Sequence, residues 1–193
     1  MKKDLVKPDI RSSFLSCEKD TEIILRKLFV ESRPHSDILK KLLVINTKDC
    51  LENNPLYQKK IDSLNLKDLR EQQYIRLEPR ISFGEHEEVK SYILLLFDHF
   101  TPNETNPEYR DCTVIIDIIC HSKYWDVGNY RSRPLKIAGY IDGILNNARL
   151  SGIGQFHFMG CNQLILDDDL SGYVLMYRAI HDVDGDDKIP PKE

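Results

Sequence analysis

Residues 111–121, Asp-Cys-Thr-Val-Ile-Ile-Asp-Ile-Ile-Cys-His, constrain the fold of this chain more than any other stretch. β-Branched residues dominate it, and successive side chains of a strand point to opposite faces. Cys112, Val114, Ile116, Ile118 and Cys120 share one face, and Thr113, Ile115, Asp117, Ile119 and His121 share the other. With both faces largely apolar, the segment reads as a central strand covered on both sides. Cys112 and Cys120 then stand roughly 26 Å apart along it, at ~3.3 Å per residue, too far to pair or to share a metal.

The neighbouring segments supply partners for such a strand. Residues 89–100 read as a long strand stopped by Thr101-Pro102-Asn103, and the ten-residue connection to the next strand suits a hairpin loop. Residues 74–83 alternate, but Pro79 places them at an edge. Ser132 is positioned to cap a helix over about 132–149, with Pro134 in its first turn and Ile137, Ile141, Ile144, Leu145 and Ala148 inward. Ser151-Gly152 ends it. Two strands follow, at about 153–160 and 172–181, around an acidic turn at Asp167-Asp168-Asp169.

The first third is helical in pattern. Asp20 is expected to cap a helix to about residue 30, and Ser36 a second to about residue 45. Asn53-Asn54-Pro55 marks a turn, with a short helix possible over 55–63. The expected fold class is α+β: an antiparallel or mixed sheet with one strong helix packed on it and a helical N-terminal part. Residues 1–182 are expected to form one domain, helical over 1–70 and sheet core over 71–182. Residues 183–193 read as an acidic flexible tail.

Composition narrows the function. The charge is -4, which excludes a strongly basic nucleic-acid binder but not a local basic patch. The longest apolar run, residues 92–97, is far short of the ~20 residues that span a bilayer, and the first residues have no apolar stretch of the signal-peptide kind. No membrane partner and no sequence-specific nucleic acid are expected. Five scattered cysteines without a CxxC pair favour free thiols.

Several constellations could carry chemistry. Glu88-Val89-Lys90 has the Glu-x-Lys spacing of some metal-dependent nucleases, and with Asp117 would make such a site; the alternative is the solvated end of a strand. Asp117, an acid amid apolar neighbours, could serve as a general base or ligand beside His121, or pair structurally with Arg131, Arg133 or a residue of another subunit. The six histidines show no metal-pair spacing. Asp182-x-Asp184-x-Asp186 with Glu193 imitates a calcium loop but has Asp187 where Gly belongs. Gly152-Ile-Gly154 does not complete a phosphate loop. No catalytic residue, metal or cofactor is therefore expected. The one aromatic and basic cluster, Tyr124, Trp125, Tyr130, Arg131 and Arg133 with Lys136 beside it, reads as a protein interface or, for Trp125, as a lid on the open end of the sheet.

Residues 85–181 resemble the head–tail neck proteins of tailed bacteriophages, of the tail-terminator and tail-completion type. The resemblance lies in Asp98-His-Phe-Thr-Pro-Asn-Glu-Thr-Asn-Pro-Glu-Tyr-Arg-Asp-Cys, Ile116-Asp-Ile-Ile-Cys-His-Ser-Lys-Tyr-Trp-Asp, Tyr130-Arg-Ser-Arg-Pro-Leu-Lys-Ile-Ala-Gly-Tyr-Ile-Asp, Leu150-Ser-Gly-Ile-Gly and Leu170-Ser-Gly-Tyr-Val-Leu-Met-Tyr. It implies a non-enzymatic virion protein, assembled in the host cytoplasm, that forms a homo-oligomeric ring capping the tail or joining it to the portal. Portal or connector and tail-tube proteins would be its partners. A ring uses two different patches of each subunit, and the loop over 124–133 is the candidate for one. The competing functions are the nuclease with Glu88, Lys90 and Asp117, and a cytosolic protein-binding module that uses the first 70 residues.

Overall fold

The computed structural model describes residues 13–78, 90–104, 109–129 and 131–182. Among the described residues, five α-helices and seven strands form an α+β fold. Helix α1 spans Ser13–Arg26 and runs on into a π turn, Lys27–Glu31. It starts earlier than Asp20, which lies inside the helix and is buried rather than capping it. Helix α2, His35–Val44, takes Ser36 into its first turn, where that side chain is buried and makes no cap. Helix α3, Pro55–Asp62, is capped by Asn54, whose Oδ1 accepts from the Leu56 N–H at 2.9 Å. Helix α4, Leu66–Glu71, was not expected. Its signal is Asn65-x-x-Asp68, a capping box in which each side chain accepts from the other residue's N–H.

The main sheet has the order β1-β2-β3-β7-β6. Strand β1, Ile75–Arg76, runs parallel to β2, Tyr92–Pro102. The other pairings are antiparallel: β2 with β3 (Tyr109–His121), β3 with β7 (Leu170–Asp182), and β7 with β6 (His157–Ile165). β2 runs through Thr101 and Pro102 instead of stopping there, because an irregularity between Asp98 and Thr101, with His99 at φ 52°, re-aims the strand at its end. The expected strand over 153–160 is displaced: β6 continues to Ile165. A two-residue hairpin, β4 (Arg149–Leu150) with β5 (Gly154–Gln155), fills the turn before it. The acidic turn forms as expected, with Asp167 Oδ1 accepting from the Asp169 and Leu170 N–H groups.

Helix α5, Arg133–Leu145, packs on β3 and β7. Tyr177 on β7 donates to Asp142 on α5 at 3.0 Å. One hydrophobic cluster runs through α1, α2, α5 and the near face of the sheet, from Ile24 and Leu28 through Val114, Ile116 and Ile118 to Tyr177 and Ala179. The helical part is thus continuous with the sheet core. β3 is central in order, but among the described residues only one of its faces lies under helices. On the other, Tyr92, Leu94 and Ile119 form a small buried cluster, while Ile115, Asp117, Leu96, Val174 and Met176 stay half-buried. The expectation of two covered faces is corrected: an apolar alternation shows what a face is made of, not what lies over it.

Candidate functional site

The segment from His121 to Arg133 is shaped by its own backbone. His121 Nδ1 accepts from the Lys123 N–H at 3.1 Å and opens a 3₁₀ turn, Ser122–Tyr124. Asp126 Oδ1 accepts from the Gly128 N–H, Lys48 Nζ stands 3.2 Å from its Oδ2, and these contacts hold its carboxyl below the usual range. Gly128 and Asn129 take positive φ, 75° and 49°, and the chain turns back through the Val127–Arg131 and Arg131–Gly128 backbone bonds.

The expected interface residues separate. Arg133 is fully buried. Its Nε donates to the Tyr124 carbonyl at 2.6 Å, Nη1 to those of Leu42 and Ile45 at 2.5 and 3.0 Å, and Nη2 to that of Thr47 at 2.7 Å. It ties the C-terminal end of α2 to the loop and to α5, and presents no surface to a partner. Trp125 is half-buried and packs against the main core, the lid arrangement. Tyr124 is half-buried, with Lys123 Nζ 5.7 Å from its ring centre. Arg131 is exposed and borders a shallow hollow of about 380 Å³ lined by Leu135, Lys136 and Tyr140. Tyr130 lies outside the described residues.

Asp117 pairs with neither Arg131 nor Arg133, because the latter points into the helical layer on the opposite side of the sheet. Among the described residues no side chain bonds to it, and burial pushes its carboxyl pKa upward. In the window between its ordinary and its raised pKa the folded state holds the proton more tightly than the unfolded chain, so stability falls as pH rises through that window. We expect Asp117→Asn to remove this slope. It should stabilise the protein at pH 7 by on the order of 0.5 kcal/mol, once partial solvation is allowed for. Urea unfolding of both proteins from pH 4 to 8 checks it; a less stable Asn variant would mean that the carboxylate has a partner.

Of the nuclease set, the described residues are Lys90 and Asp117, and no hydrogen bond or ion pair joins them. Glu88 lies outside the described residues. Lys90 Nζ donates to the Gln72 carbonyl at 3.2 Å and lies over the Tyr74 ring, toward β1. Among the described residues no group of three or more His, Cys, Asp or Glu could hold a metal ion. None of the five cysteines is in a disulfide; burial raises Cys120 and Cys17 to about 11, so both are protonated thiols at neutral pH. No described helix is long and apolar enough to cross a membrane.

From sequence the long strands are expected to leave unpaired edges that could extend a sheet between subunits, but which strand is outermost is not legible there. β6, His-Phe-Met-Gly-Cys-Asn-Gln-Leu-Ile, carries no Lys, Arg, Asp, Glu or Pro, and among the described residues no strand lies on its outer side. Phe158, Met159, Ile165 and Leu166 are exposed on it or just after it. Edge strands are ordinarily blunted by charge, proline, brevity or a bulge; the nine uncharged residues of β6 use only the last, an irregularity between Phe158 and Gly160. Among the described long strands, β6 is the one without a formal charge, and that signal is present in the sequence.

Among protein-family models, that of YomW matches residues 36–179. The match takes in α2 to α4, ahead of the stretch that carries the resemblance to neck proteins. No curated protein matches the chain.

Proposed function

The chain belongs to the YomW family, named after a gene product of a Bacillus phage region, and from that membership we propose that it is a non-enzymatic structural protein of a phage particle. In this reading it forms a homo-oligomeric ring at the neck, of the tail-terminator type, and caps the tail or joins it to the portal. The observation that supports it is the β6 edge: a long, uncharged strand with exposed apolar side chains is what a self-assembling subunit offers to its neighbour. The loop over 124–133 would contribute through Tyr124 and Arg131, which reach the surface.

Light scattering of the purified protein across concentration should give a closed assembly at a fixed multiple of the 22.5 kDa chain. Immunogold labelling of purified particles should mark the head–tail junction. A monomer at every concentration together with unlabelled particles would refute the proposal.

A further inference from the structure

We infer that a second copy of this chain completes the open edge of the sheet, β6 pairing antiparallel with β6 about a two-fold axis at Asn162. The inference goes beyond the ring reading. The pairing makes a dimer by itself, and a ring of the kind proposed above would be built from such pairs through a second patch.

The edge reaches solvent along its length. Of the ten residues from His157 to Leu166, all but Gly160 and Leu164 are exposed. Among the described residues no strand lies beyond them. The backbone is turned the right way as well. The Leu166 N–H donates to the Leu170 carbonyl at 3.0 Å, and β6 keeps an unbroken register with β7 from Gly160 to Ile165. Peptide groups alternate along a strand, so those of Leu164, Asn162 and Gly160 face β7, and those of Ile165, Gln163 and Cys161 face outward. A further strand takes up such outward groups.

The order of side chains names the occupant. Phe158, Met159, Ile165 and Leu166 are exposed large hydrophobics. They stand four and three residues before Asn162, and three and four residues after it. The pattern reads the same in both directions, which is the self-complementarity that a two-fold contact needs. An antiparallel axis at Asn162 sets Phe158 and Met159 of each copy alongside Leu166 and Ile165 of the other, so apolar meets apolar at both ends. Between them Gly160 faces Leu164, and Cys161 exchanges backbone bonds with Gln163. The two Asn162 side chains form the close, non-hydrogen-bonded pair at the centre, where one amide can donate to the other. β6 has no formal charge to repel its twin. His157 falls beside the acidic turn Asp167–Asp169 of the other copy, a complementary contact when the imidazole is protonated. Moving the axis to Cys161 would instead set Met159 against Gln163 and His157 against Ile165. The irregularity between Phe158 and Gly160 falls at the ends of the paired stretch and leaves its centre regular.

Two cysteine variants in a Cys161→Ser background test the axis. Asn162→Cys places two thiols directly opposite, and oxidation with copper–phenanthroline should link most chains as dimers on a denaturing gel. Gln163→Cys places them on a diagonal, about 7–8 Å apart, beyond the reach of a disulfide, and should leave them unlinked. No link at Asn162→Cys, or equal yields from both variants, would overturn the inference. Charge tests it without new thiols. Met159→Lys and Ile165→Glu each spoil the apolar pairs and should weaken the dimer about tenfold or more, with an unchanged circular dichroism spectrum. Mixed, the two proteins should pair one to one, because the introduced lysine of one meets the introduced glutamate of the other. Variants that stay apart on mixing, or that each dimerise like wild type, would overturn the pairing. A wild-type dimer that never grows larger would refute the ring and support the pairing. A larger assembly left unlinked at Asn162→Cys would do the reverse.

Discussion

Replacing Arg133 by Ala is expected to lower the stability of the protein by about 4 kcal/mol, the upper range for a single substitution. The guanidinium is fully buried, and among the described residues no carboxylate forms an ion pair with it. Its charge is held by four backbone carbonyls, those of Tyr124, Leu42, Ile45 and Thr47. Leu42 belongs to the last turn of α2 and Ile45 follows its end, where the negative pole of the helix favours a cation. Truncation removes charge-assisted bonds worth about 1.5–3 kcal/mol each in favourable cases. It also leaves a void at the meeting point of α2, α5 and the loop. For a chain of this length the melting temperature should fall by roughly 8–16 °C. Arg133→Lys should recover less than half of the loss, because one ammonium cannot reach acceptors on three sides of a planar fork. If Arg133→Ala unfolded within 1 kcal/mol of wild type, the strut would be replaceable by water. The same variant separates structure from assembly: a folded but unassembled protein would return Arg133 to the interface.

That residue also marks where sequence reasoning ran out. β3, β7 and α5 were legible because their apolar periods are long and unbroken, whereas Asn54 and Pro55, read as a turn with a short helix possible after it, are the cap and first residue of α3. Arg133 reads from sequence as an interface residue or as the partner of Asp117, because arginine is almost never fully buried unless paired; three of its four partners are backbone carbonyls some ninety residues away, which no local pattern encodes. Asp117 failed for the related reason that a strand's alternation says nothing about which face the helices choose. α4 could have been read from Asn65 and Asp68. β1 could not, since two residues carry no period and its parallel partner lies sixteen or more positions on. The β6 edge was readable in composition, but its meaning needed the strand order, which leaves it outermost.

Gly172→Ala should be the other severe substitution, destabilising by about 3 kcal/mol or more, at the upper end for overpacking. Gly172 is buried in β7, opposite Ile119 of β3 and Leu164 of β6. A Cβ built there would land on the Ile118 carbonyl oxygen, with Ile119 Cα only 3.3 Å away. The obstacle is the backbone of the central strand, so no rotamer change relieves it, and β3 and β7 must part or slip. Two other glycines give the contrast. Gly160 in β6 would bring its Cβ no nearer than 3.6 Å to the end of the Met176 side chain, an ordinary contact. Gly143 on α5 has nothing within 4 Å. There alanine lowers the backbone entropy of the unfolded chain, and Gly143→Ala should stabilise by about 0.5–1 kcal/mol. Urea unfolding of the three variants therefore separates by sign as well as size. Equal effects at Gly172 and Gly160 would mean that β7 does not approach β3 as closely as the structure has it.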